Sequence, residues 1–210
     1  MNDLIKAAVT VASLINFNLI AATVTTTKYA KSDNCYLTFS GGVEKGDADK
    51  VFNSFLYNCD GGRVESINID SIGGNFTEGA RVSDVIREMG LNTVVYSGKA
   101  ALSAAFSILM AGSEVSIYSG ARTGHHAPWV EKKQYNELYK DSTDTTPVDH
   151  FNLGEYFMAK AIKEDMLDIP AWLIIKYITN LEGSMYYLTL SDLIKLDREG
   201  YVKYIPVPRK

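Results

Sequence analysis

The sequence predicts one α/β domain behind a short N-terminal leader. Three observations carry that expectation. Strand-patterned runs alternate with helix-patterned runs from Cys35 onward. The chain has 210 residues, 46% of them apolar, which suits one domain with a full core. Chemistry-bearing residues (Gly73, Gly74, Ser103, His126) each follow a run expected as a strand, and functional sites of α/β sheets sit outside the carboxyl ends of the strands.

Residues 1–22 hold Lys6 and then an apolar run from Ala7 to Ala22. The pattern resembles a secretory signal peptide with cleavage near Ala21 or Ala22, so export to the periplasm or beyond is expected. An uncleaved anchor or a helix packed on the domain is the other reading, and any membrane contact is expected only through this segment. Residues 23–34 are polar and read as a linker, and residues 35–210 as the domain.

Within the domain, "CYLTFSG" alternates as a strand, and "DADKVFNSFLYNC" follows as a helix with Asp47 as N-cap. Its apolar stripe is Val51, Phe52, Phe55, Leu56 and Cys59. "VESINID" is the next strand. "TEGARVSDVIREMG" is a helix with a stripe of Ala80, Val82, Val85, Ile86 and Met89, stopped by Gly90. "NTVVYSG" and "SEVSIYSG" are strands on either side of the small-residue helix "SAAFSILMAG", and "ARTGHHAP" continues into a short strand or loop. The polar stretch "VEKKQYNELYKDSTDTTPVDHFN" reads as a surface excursion. Helices are expected from Leu153 and after Pro170, which suits a first turn. A capped helix at "TLSDLIKLDREG" and a last strand at "YVKYIPV" close the chain.

Charged residues are 22% of the chain and the net charge is −4. No basic patch or stripe points to nucleic acid. The two cysteines, Cys35 and Cys59, read either as a disulfide of an exported protein or as two buried thiols. No CxxC motif or Cys/His cluster points to a metal. His125 and His126 are adjacent, so a strand would turn them to opposite faces.

A glycine pair lets the backbone turn tightly and present amides to a ligand, where they can hold an oxyanion. Ser103 lies where a helix begins, and the Ala104 amide comes next. A serine hydroxyl needs a base to become a nucleophile, and histidine is the usual one. Ser107, one turn further on, is expected to bond back to the backbone. Taken singly, each feature has a plain structural reading as turn, N-cap or strand histidine; together they point to nucleophilic catalysis.

These residues resemble a known family. "DSIGGNFTEGARVSDVIR" resembles the NSPGG strand-turn-helix of the Clp-protease proteolytic subunit, "AALSAAFSILMAG" its nucleophile helix, and "GARTGHHAP" its NARVMIHQP segment. The register puts the nucleophile on Ser103 and the base on His126, with His125 replacing an apolar residue. The chain is also similar to exported Clp-like proteins of bacteria. The resemblance implies the Clp/crotonase-like fold, built of repeated ββα units with C-terminal helices. The sequence departs from the family at Asp70, Ile72, Ala101 and Ala105. The third triad member falls near Leu181, which makes Glu182 its candidate, with Asp144 and Asp149 as further possibilities.

The expected function is a serine hydrolase, a peptidase, with Ser103 as nucleophile, His126 as base, and Gly73, Gly74 and Ala104 as oxyanion donors. No cofactor is expected; the partners are a peptide or protein substrate and further copies of the chain. The alternative is a non-catalytic binding or assembly module on the same fold. A crotonase-type acyl-thioester enzyme is disfavoured by the Ser/His pair.

Overall fold

A computed structural model describes residues 21–57, 59–126, 169–179 and 185–206. Residues 1–20 of the leader, the polar excursion with Asp144, Asp149 and His150, the helix expected from Leu153, and Glu182 lie outside the described residues; Ala22, the last residue read as leader, is buried in the core.

The main sheet has six strands in the order β1-β2-β3-β4-β6-β9. These are β1 (Thr23–Lys28), β2 (Cys35–Ser40), β3 (Val64–Asp70), β4 (Asn92–Val95), β6 (Val115–Tyr118) and β9 (Lys203–Ile205). Only the β1–β2 pair is antiparallel; the other neighbours run parallel. A second sheet, β5-β7-β8, is formed by β5 (Ala100–Leu102), β7 (Arg122–His125) and β8 (Tyr186–Tyr187). The chain leaves β4 into β5 and β6 into β7, so each excursion from the large sheet adds a strand to the small one.

The helices are α1 (Asp47–Tyr57), α2 (Phe76–Met89), α3 (Ala104–Met110), α4 (Ala171–Thr179) and α5 (Leu190–Arg198). Alternate strand residues supply the core: Leu37, Phe39, Ile67, Val95 and Ile117 are fully buried. They join Val51, Val82, Ile86, Phe106, Ile108 and Leu109 from α1–α3 in one cluster, as period-2 strands facing period-3.6 helices require. Asn75 caps α2 by accepting the Glu78 amide, and Gly90 ends it in the left-handed conformation. Thr189 and Asp192 form a reciprocal capping box on α5. Among the described residues no helix is long and apolar enough to cross a membrane.

Three expectations need correction. Residues 23–34 are not a linker throughout: Thr23–Lys28 pair residue for residue with Ser40–Cys35. Threonines suit a strand as well as a polar loop, and only the neighbouring β2 decides between them. Asp47 does not cap α1 from outside; it is the helix's first residue, fully buried, and its carboxylate accepts the Glu44 amide at 2.8 Å. The Glu78 carboxylate accepts the Ala48 amide instead. These bonds set the helix's rotation, so Val51 and Ser54 face inward while Phe52 and Leu56 are 38% and 46% exposed. The third is an omission: β8, two tyrosines long, has no periodicity to read and exists because β7 lies beside it.

Cys35, in β2, is disulfide-bonded to Cys59, beyond α1. The bond closes a loop across 24 positions of sequence, for which chain entropy predicts roughly 3 kcal/mol of stabilisation. Replacing both cysteines by serine should lower the unfolding free energy by about that amount in urea titrations.

Candidate active site

The elbow between β5 and α3 is the site's first element. Ser103 has φ 55° and ψ −127°, and among the described residues it is the only non-glycine with positive φ. Such a conformation costs about 1–3 kcal/mol and persists only where the surroundings over-determine it. Here the Ser103 amide donates to the Gly124 carbonyl at 3.0 Å, and the preceding Leu102 amide donates to Ser71 at 3.1 Å. The Ser103 carbonyl accepts the Phe106 amide at 2.9 Å. The serine hydroxyl makes no capping bond to α3.

That hydroxyl faces a histidine instead. Ser103 Oγ lies 2.8 Å from His126 Nε2. His126 directly follows β7, which pairs in parallel with β5 through Ala100–Arg122, Ala101–Thr123 and Leu102–Gly124. Two residues distant in sequence thus meet because their strands are neighbours. The adjacent His125 points the other way and is 1% exposed. Its Nδ1 is 2.5 Å from the His126 carbonyl, and its Nε2 is 3.3 Å from Ser107 Oγ. Ser107 therefore does not bond back to its helix as expected; a buried imidazole offers the hydroxyl a partner. Burial, and then the neighbouring His126, lower the His125 pKa to about 4.

The glycine pair closes the other side. A Cβ on Gly73 would sit 2.5 Å from the Leu102 carbonyl oxygen and 2.6 Å from Ser103 Cβ. The backbone there has φ 93°, so only glycine fits. The three expected oxyanion donors are not equivalent. The Gly73 amide donates to Ser71 Oγ at 3.1 Å, and its carbonyl accepts the Val43 amide at 2.9 Å. The Gly74 and Ala104 amides have no acceptor among the described residues. Gly73 thus shapes the turn with its amide engaged, and the amides of Gly74 and of Ala104, the residue after Ser103, are those left without an acceptor among the described residues.

Of the departures from the expected motif, Asp70 has local partners, and Ala101 and Ala105 are fully buried in the core. Asp70 accepts Lys99 at 2.7 Å and the Ala100 amide at 3.3 Å, which ties the start of β5 to the end of β3. Ala104 packs against Gly79 of α2, where an added Cβ would come within 3.0 Å of the Ala104 methyl. Nothing in the structure explains Ile72, which is 45% exposed.

A cluster unread in the sequence supports β7 from below. Tyr177 of α4 is buried against His125 and Phe106, with ring centroids 5.3 and 6.0 Å away. Tyr186 packs edge-on to it at 5.8 Å and pairs with His125 across β8–β7. Behind them Asp192 accepts from Lys176 at 2.5 Å, from Tyr186 at 2.8 Å and from Thr189. Burial alone would raise the Asp192 pKa, but these donors, Lys176 foremost, outweigh it and hold the group at about 2. The available signal was the capping pattern Thr189–Asp192; the tyrosines gave none.

A family model described as "Clp protease" matches residues 23–144, more than half of the chain. The chain belongs to the Clp protease family. Its structure is similar to that of ClpP1 from Listeria monocytogenes, solved as a point mutant, with a TM-score of 0.53 and 16% identity over 82% of this chain and 92% of that one. The ClpP protease catalytic domain of Plasmodium falciparum is also similar, with a TM-score of 0.46 and 18% identity over 80% and 83% of the two chains. No curated protein matches the sequence. Together the family match and the Listeria likeness establish the Clp/crotonase-like fold expected from the motifs.

The buried His125 makes folding acid-sensitive. Its folded pKa of about 4 lies below the usual histidine value, so the unfolded chain binds the extra proton between about pH 6.5 and 4. Stability from this group is full above that window and falls by roughly 3 kcal/mol as pH drops through it. Urea midpoints measured at pH 7 and pH 4.5 should show the loss in the parent, and His125→Leu should flatten it.

Proposed function

We propose that this Clp-family protein is a serine peptidase with Ser103 as nucleophile and His126 as general base. One observation carries the reading. The only described non-glycine residue with strained backbone is a serine, and its hydroxyl lies 2.8 Å from an imidazole nitrogen. A structural N-cap serine would spend its oxygen on α3; this one does not. For that reason a non-catalytic module on the same fold is the weaker reading.

In the proposed reaction the Ser103 hydroxyl donates its proton to His126 Nε2 as Oγ bonds to the substrate's carbonyl carbon. The Gly74 and Ala104 amides receive the developing oxyanion. His126 then protonates the leaving amine, and water, activated by the same imidazole, releases the acyl group. The chemistry needs no cofactor. The third triad member, proposed at Glu182, would orient His126 and stabilise its imidazolium. Substrates of this reading are peptides or proteins, and self-assembly is proposed with it.

Export is part of the proposal. The Cys35–Cys59 disulfide suits an oxidising compartment, and it supports the leader read in residues 1–22. N-terminal sequencing of protein recovered from its host should begin near Thr23; an intact Met1 would count against cleavage.

The nucleophile is tested with a fluorophosphonate probe on the purified full chain. Labelling should be lost in Ser103→Ala and slowed about 10²–10⁴-fold in His126→Ala. Labelling that survives Ser103→Ala would sink the reading. Gly74→Ala, which would push a Cβ within 2.4 Å of the Val43 carbonyl oxygen, should displace one oxyanion donor and lower turnover about 10²–10³-fold.

A further inference from the structure

We infer that His125 is a positioning residue for His126, clamping the base's own backbone to the helix that carries the nucleophile. The inference rests on the Ser103/His126 reading above and adds to it a second serine–histidine link that performs no chemistry.

The geometry assigns every hydrogen. A carbonyl oxygen only accepts, so the contact at 2.5 Å between His125 Nδ1 and the His126 carbonyl places the proton on Nδ1. His125 Nε2 is then the acceptor, and Ser107 Oγ donates to it at 3.3 Å. Ser107 stands four residues after Ser103, one helical turn along, and His125 stands one residue before His126. Helix α3 and the end of β7 are therefore joined twice. The upper link is Ser103 to His126, open to substrate; the lower is Ser107 to His125, sealed in the core with both residues under 5% exposed.

An apolar residue would fill the same space without hydrogen bonds to satisfy. The imidazole must meet its partners or leave buried polar groups unpaired, so its presence restricts where the His126 carbonyl can sit. Base placement is sensitive at the 1 Å scale, so a contact that fixes the base's own carbonyl bears on the reaction. The surroundings keep the imidazole neutral. Phe106 of α3 and Tyr177 of α4 lie against it, Tyr186 of β8 pairs beside it, and the His126 ring centroid is 6.1 Å away. Lys176 and Asp192 are engaged with each other and with Tyr186.

The test uses the full chain and two variants. His125→Leu keeps the volume and loses both bonds; His125→Asn keeps an N–H donor close to the position of Nδ1. The phosphonylation rate of Ser103 should fall about 10-fold or more in His125→Leu. It should return to within about 3-fold of the parent in His125→Asn, a recovery that packing alone would not produce. A His125→Leu protein labelled at the parental rate, or no rescue by His125→Asn, overturns the inference. Nitrogen-15 imidazole spectra decide it independently of reactivity. His125 should be the Nδ1–H tautomer, and His125→Leu should shift or broaden the His126 ring signals. The Nε2–H tautomer, or unchanged His126 signals, overturns the inference. Failure of the parent protein to label while these spectral signatures hold would sink the peptidase reading and leave the positioning link standing.

Discussion

The backbone of Ser103 is the constraint around which this molecule is arranged. A residue with a side chain held at φ 55° and ψ −127° is strained by about 1–3 kcal/mol. The strain is held by hydrogen bonds from three directions: the Gly124 carbonyl of β7, the Ser71 backbone after β3, and the first turn of α3. Each partner reaches the elbow only because the two sheets meet there, through the Ser71–Ala101 bridge and the β5–β7 pairing. The small residues around it follow from the same convergence. Gly73 approaches Leu102 and Ser103 too closely for a Cβ, Gly79 leaves only 3.0 Å between an added Cβ and the Ala104 methyl, and Gly124 lies too close to the Tyr186 carbonyl of β8.

The histidine side depends on a different kind of support. Strand β7 is held in the small sheet by β5 on one edge and β8 on the other. Beneath it the His125, Phe106 and Tyr177 rings pack together, and the Asp192–Lys176–Tyr186 cluster fixes β8 from the far side. A packed and hydrogen-bonded layer thus lies beside the strand that leads into His126, while the backbone strain sits at Ser103. Two hydroxyls of this layer, those of Thr123 in β7 and Tyr177, are buried without a partner among the described residues, and burial pushes the Tyr177 pKa well above the usual value.

Much of the chemistry was legible because it sits at strand ends. The glycine pair follows a run with period-2 character, Ser103 opens a small-residue helix and His126 follows a short strand, and turning them to one edge needs only the parallel order of the strands. Other features misled for physical reasons. Thr23–Lys28 is polar enough to pass for a linker, since an edge strand shows no buried alternation. Phe52 and Leu56 fit the helical stripe of α1, but the bonds at Asp47 and Ala48 rotate them outward. Gly73 looked equal to Gly74 as an oxyanion donor until Ser71 Oγ was seen to take its amide. Ser107 looked like a packing serine because the histidine that engages it lies 18 residues away.

By itself the sequence determined the α/β class, the strands and helices of the main sheet from Cys35 to Tyr118, and which serine and which histidine to set side by side. Those conclusions follow from local periodicity, turn chemistry and motif spacing, all of which are properties of neighbouring residues. Only the tertiary structure decided the rest. It joined Cys35 to Cys59, gave β8 a reason to exist, engaged the Gly73 amide where those of Gly74 and Ala104 have no acceptor among the described residues, and gave the two adjacent histidines different serine partners. Each of those outcomes depends on which atom arrives from a distant strand or helix to complete a hydrogen bond or exclude a Cβ.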